Sequence, residues 1–187
     1  MTLAYVVRCN FNEPEKEKAW NDWYSGPKLK QMLAKPYFLT TRRYYRVAGT
    51  GRNYVAFWTL ASSQAFETTE YKSDWGFFEW RPFIIDWSRD LFEAEKGDVD
   101  APQVGDNGFL RLVSFEGLSK VDAEAKKAEV DRKKPGTVWL LSAGLDRHTP
   151  WLGVSVETSS DVGPAPAGVY EATYRPISLF TVTDNPR

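Results

Sequence analysis

The chain of 187 residues carries 24 Lys and Arg against 25 Asp and Glu, a formal charge of −1, and is long enough for one large domain or two small ones. That balance lays down no electrostatic footprint for nucleic acid or an anionic membrane surface. Mean hydropathy is −0.47 and no run reaches the roughly 20 apolar residues of a membrane span.

The N-terminus, MTLAYVVRCNF, lacks the basic segment and cleavage site of a signal peptide and reads as a strand. The single cysteine, Cys9, has no internal disulfide partner, so a cytoplasmic protein is expected. Aromatics depart from average composition. Eight Trp, nine Tyr and eleven Phe make up 15% of the chain, as expected of an aromatic core or a pocket walled by rings.

In chain order, residues 3–11 form the first expected strand. Asn12, Pro14 and Glu15 stand as N-cap, first-turn proline and capping-box acid. The helix behind them places Trp20, Trp23 and Tyr24 at i, i+3, i+4, on one face. Gly26-Pro27 interrupts it, a shorter helix restarts through Leu29, Met32 and Leu33, and Lys35-Pro36 stops that one. Residues 37–47, aromatic and β-branched, form a second strand, 48–51 a hairpin turn and 53–60 a third strand. Ser62 or Ser63 caps a second helix through Ala65 and Phe66. A mixed segment then delivers a fourth strand over about 85–93.

Residues 97–106 lose the hydrophobic period, gain Gly, Pro and Asp, and read as a linker. Beyond it the order repeats. A strand over 109–115 precedes a helix opened by Ser119 and Asp122 that runs to about 132. Strands follow over 137–145 and 151–157. A Gly/Pro/Ala-rich loop over 159–168 replaces the second helix, and the last strand, 169–182, is interrupted at Pro176. The expected organisation is a first half over 1–96, the linker over 97–106 and a diverged second half over 107–187. The expected fold is α+β, with two tandem ferredoxin-like βαββαβ halves packed sheet to sheet. The second-half helix offers only Val121, Ala125 and Ala128 at matching spacing. A roomy aromatic site is therefore expected in the first half and a closely packed partner in the second.

Trp23-Tyr24, Leu29, Met32-Leu33, Pro36, Phe38 and Arg42-Arg43-Tyr44 fall in an order that resembles the EthD-like branch of the dimeric α+β barrel superfamily. Residues 54–60 resemble that family's third strand, and Pro135-Gly136-Thr137 with 170–180 its second-half counterparts. The resemblance implies that the two halves close as an α+β barrel within one chain. It also implies cofactor-free chemistry on a small aromatic or polyketide-like compound: isomerisation, cyclisation, dehydration, decarboxylation or oxygenation. Arg43 and tyrosines would hold an enolate or phenolate. Two departures stand out. The family histidine falls at Lys28, and the glycine after the proline is Tyr37.

The candidate catalytic residues are Arg43, Tyr24, Asp86 and His148, the lone histidine and the most natural proton carrier by its ordinary pKa. The candidate ligand-binding rings are Trp20, Trp23, Tyr44, Phe57, Trp58, Trp75 and Trp87. One His and one Cys far apart give no metal cluster, and no phosphate-binding or nucleophile-elbow motif is present, so neither metal nor cofactor is expected. Strand alternation sends Arg42 and Arg43 to opposite faces, so one guanidinium points inward and needs an acidic partner or an anionic ligand. The expected partner is a small hydrophobic aromatic ligand, not nucleic acid or membrane, and the protein a monomer or homodimer. The alternative reading is a non-catalytic carrier of haem or of an aromatic ligand.

Overall fold

The computed structural model describes residues 1–184. β1 (Leu3–Phe11) leads to α1 (Pro14–Trp23), which continues through a π-helical turn (Tyr24–Lys28) into α2 (Leu29–Leu33). Gly26-Pro27 therefore widens the helix instead of breaking it. Pro27 has no N–H to give, and a π turn accommodates that vacancy. The expected cap at Asn12 is not used: Glu13 occupies the N-cap position without a side-chain bond.

β2 (Phe38–Gly49) and β3 (Tyr54–Leu60) follow. A short 3-10 turn is capped by Ser62 and α3 (Thr69–Ser73) by Thr68. A second 3-10 turn (Phe78–Phe83) delivers β4 (Ile84–Ala94). The second series is β5 (Phe109–Ser114), α4 (Lys120–Lys133), β6 (Val138–Leu145), β7 (Trp151–Glu157), β8 (Tyr170–Pro176) and the short β9 (Thr181–Val182). Pro176 ends β8, where a missing donor costs least.

All pairings are antiparallel. The order β2-β3-β1-β4 in the first series reappears as β6-β7-β5-β8 in the second. The two sheets face each other across one interior, and they also join edge to edge. β4 pairs with β6 and β2 with β8, so eight strands close into one barrel and no edge of either quartet is left open. The β2–β8 seam is tight. A Cβ on Gly49, at φ 80°, would stand 2.1 Å from the Glu171 carbonyl oxygen, so only glycine fits.

Alternation divides each strand between two cores. Val6, Tyr44, Val55, Phe57 and Phe92 face the barrel interior with Leu110, Leu112 and Leu152. Tyr5, Val7, Cys9, Tyr54, Ala56 and Trp58 face outward beneath α1 and α2. The stretch over 97–106 is no free linker, because Val99 and Val104 are buried in the barrel core. α4 covers the second quartet with Ala123 and Val130, while Val121, Ala125 and Ala128 point to solvent. The expected face is rotated because Trp139, Trp151 and the stem of Lys127 draw it round: the Lys127 Nζ stands 5.3 and 5.4 Å from the two indoles.

Candidate functional site

The register beneath α1 assembles one row across the first quartet. Arg43 on β2 opposes Ala56 on β3, Ala56 lies across from Val7 on β1, and Val7 opposes Arg89 on β4. Two small residues thus separate two guanidinium groups on the helix-covered face. Sequence reasoning missed Arg89, although its period-2 spacing from Leu91 was the available signal.

Arg43 is 1% exposed. Its guanidinium carbon lies 4.2 Å from the Tyr24 ring, 4.8 Å from Trp20 and 5.5 Å from Tyr54. Nη1 donates to Ser25 Oγ at 2.9 Å and to the Asn21 carbonyl at 3.3 Å, and Nη2 has no partner. Among the described residues no carboxylate pairs with it. Asp22 bonds Lys18 at the surface, and Asp86 is exposed and accepts from Asn10. Burial holds the guanidinium down to about 10. Its field reaches Tyr24 and Cys9, yet burial wins at both. The Tyr24 phenol is raised and the Cys9 thiol is pushed up to about 12, which leaves that thiol inert.

Beside Arg43, with the Tyr24 ring between them, lies a small, partly open cavity of about 30 Å3. Its floor is Tyr5, Val7 and Trp58; Tyr24, Lys28 and Met32 wall it from the helix side, and Tyr71, Trp75, Gly76, Phe77 and Trp87 roof it. Tyr71, Trp75 and Trp87 stack in a ladder at 5.8 and 6.1 Å, and Arg89 lies 4.5 Å over Trp75. The expected roomy site is thus filled by its own rings and retains space for about one water. The segment 74–87, expected to form a pocket rim or lid, supplies the roof through Trp75 and Trp87. Lys28, where the family histidine falls in the resemblance, is 5% exposed and stands on the π turn in the cavity wall.

The other expected site residues divide. Trp20 is fully buried and stacks on Phe11 at 4.7 Å, while Trp23 is half-buried and lines an outer cleft of about 420 Å3 with Phe78. Tyr44 and Phe57 belong to the barrel core and do not meet this cavity. His148 is on the β6–β7 connection, its backbone N–H bonded to Asp90 at 2.8 Å and its Nδ1 3.5 Å from the same carboxylate. Asp90 is buried at the end of the barrel interior with Arg8 at 2.8 Å, so His148 belongs to an ionic barrel plug and not to the aromatic cavity. Among the described residues no three His, Cys, Asp or Glu side chains gather as a metal site.

No family model and no curated protein matches the chain. Solved structures do. An anthrone oxidase-like protein superposes with a TM-score of 0.66 at 12% identity, over 100% of this chain and 95% of that one. A candidate monooxygenase from Fusobacterium nucleatum subsp. nucleatum gives 0.50 at 15% identity, over 97% and 94%. The shared fold is an α+β barrel, and here both quartets and the seams that close them come from one chain. The cavity lies outside the barrel, between its first quartet and the helices. Among the described residues no helix is long and apolar enough to cross a membrane.

Proposed function

We propose that this protein is a cofactor-independent enzyme that binds a small aromatic or polyketide-like compound beneath α1 and α2 and carries it through an enolate or phenolate. The observation that carries the reading is Arg43, a cation 1% exposed with no carboxylate among the described residues. Burying an unpaired charge costs several kcal/mol, and an apolar side chain of similar volume would fill the space without that cost. A bound anion would offset it. Tyr24 transmits the field to the cavity, and Arg89 on the far side adds a second positive group. The walls of Trp58, Trp75, Trp87 and Phe77 suit a flat ring.

Entry requires the roof to move. Within the roof, Trp75 and Phe77 pack on Trp87, while a Cβ added to Gly76, at φ 101°, would meet no atom within 4 Å and Phe78 at φ 47° carries backbone strain, so the hinge of that movement is placed at Gly76 and Phe78. The names of the structural neighbours, anthrone oxidase-like protein and candidate monooxygenase, favour oxygenation of a carbanion or phenolate among the reaction types. We also read the chain as a tandem duplication of an EthD-like half over 1–96 and 107–187, a reading supported by the repeated strand order.

The test is to titrate purified protein with 4-nitrophenol and with anthrone, following tryptophan fluorescence and, for anthrone, oxygen uptake. The reading expects saturable quenching by both, with uptake accelerated for anthrone. Absence of quenching by either compound would remove it.

A further inference from the structure

Lys28 borders two compartments. It walls the inner cavity beside Tyr5, Tyr24 and Tyr71, and it also lines the outer cleft with Gln31, Asp74 and Glu79. Its Nζ donates to Gln31 Oε1 at 3.0 Å and lies 4.7 Å from the Phe78 ring centre. Gln31 in turn donates to Asp74 Oδ2 at 2.5 Å, and Asp74 is also 3.6 Å from Lys35. The carboxylate is thus held one amide away from Lys28 and shared with a second ammonium, and Lys28 forms no ion pair of its own among the described residues. Placement on the π turn brings this about, because the widened turn offsets Lys28 from the α-helical phase and swings it under the roof.

We infer that Lys28 is the base that takes the proton of a phenolic or enolisable aromatic substrate in the inner cavity and hands it to water in the outer cleft. The inference rests on the function proposed above and names the proton acceptor that the reading leaves open. In the step, the O–H or C–H bond of the substrate breaks, and its electron pair remains on the substrate as phenolate or enolate. The proton forms a new N–H bond on the neutral Lys28 amine. The ammonium then returns a proton to water on the cleft side. The groups facing Lys28 are Tyr24, Tyr5 and Tyr71 from the cavity, Gln31 and Lys35 from α2 and its end, and Asp74 and Glu79 from the roof segment. Burial lowers the Lys28 amine to about 8, opposed by Asp74 and assisted by Lys35. The phenols of Tyr5 and Tyr24 are raised by burial and stay protonated, so they compete poorly for the base role.

The test is trace labelling of the intact chain with acetic anhydride across pH, read lysine by lysine by mass spectrometry, with and without 4-nitrophenol, with binding followed by fluorescence. Lys28 is expected to reach half-reactivity near pH 8, well below the ordinary lysine value of 10.5, and its midpoint is expected to rise when 4-nitrophenol binds, as an ammonium–phenolate pair forms. Lys28→Arg, which keeps the charge but cannot accept a proton, should bind 4-nitrophenol within about threefold of wild type and lose at least about 100-fold in anthrone-dependent oxygen uptake. Binding with an unmoved Lys28 midpoint, or a Lys28→Arg variant with undiminished uptake, overturns the inference and leaves the proposed function standing. Absence of binding by the wild-type protein overturns both.

Discussion

Arg43 beneath α1 and Arg111 beside the end of α4 are each 1% exposed on the helix-covered face of the same barrel, yet their surroundings are opposite. Arg111 gives Nε to Glu171 at 2.6 Å, and its Nη1 reaches Thr137 at 3.0 Å and Ser155 at 3.4 Å. Lys134 approaches the same carboxylate at 3.7 Å. Arg43 has rings and two neutral oxygens instead, and one nitrogen with no partner. The second quartet neutralises its buried cation with its own carboxylate, and the first leaves its cation for something else to neutralise. A folding unit selected only for stability has no use for the second arrangement, which is why the site is placed under α1.

The contrast predicts opposite mutational signatures. Arg43→Met should carry the largest functional effect, a loss of at least about 100-fold in 4-nitrophenol affinity, equivalent to about 2.7 kcal/mol. Its stability in urea should stay within about 1 kcal/mol of wild type or rise, since an apolar side chain replaces an unpaired buried charge. Glu171→Gln should do the reverse. It strands the Arg111 guanidinium and should cost about 3–5 kcal/mol in urea unfolding, with ligand affinity unchanged. A stable Glu171→Gln beside an unfolded Arg43→Met would invert the comparison.

How much of this was legible beforehand follows from what each signal depends on. Period-2 alternation depends only on the local backbone, so the pairing of Arg43 with Tyr45 on one face of its strand, and of Tyr54 with Trp58 on one face of theirs, could be read from the chain, while the family resemblance alone turned the Arg43 face toward the aromatic helix. The same rule separated Arg42, which turns to the Val104 and Ser178 carbonyls. Barrel closure came from the family resemblance and not from the residue pattern, because the β4–β6 and β2–β8 seams join residues distant in sequence and leave no periodic trace. Lys28 stood out only as the position of the family histidine, and its spacing gave no sign of burial. Only the π turn, forced by Pro27, turns it inward. The assignment of Tyr44 and Phe57 to the site failed at the same point. Helix and barrel cores are both aromatic, and composition does not say which face of a strand meets which.

Smaller effects sharpen the picture. Lys28 has its pKa lowered from 10.5 to about 8. Below pH 8 both folded and unfolded chains carry the ammonium, and its burial cost is fully present. Between those two values the unfolded chain binds more protons, so stability rises with pH. Lys28→Met should therefore raise stability at pH 7 by up to about 3 kcal/mol and gain little above pH 10.5, measured as melting temperature at the two conditions. His148→Gln should be the mildest. With its ring 35% exposed and its backbone N–H still available to Asp90, the expected change is under about 1 kcal/mol in stability and none in ligand affinity.

The central claim, that the unpaired Arg43 cation stabilises an anion bound under α1, is tested most directly by the ionisation of a bound phenol. 4-Nitrophenol absorbs in the visible only as its anion, so a pH titration of the saturated complex reads its bound pKa. The account predicts a bound pKa at least one unit below that of the free phenol in the wild-type protein, and a return toward the free value in Arg43→Met wherever enough complex can be formed. A bound pKa equal to or above the free value in the wild-type protein, or one that Arg43→Met leaves unmoved, would contradict it.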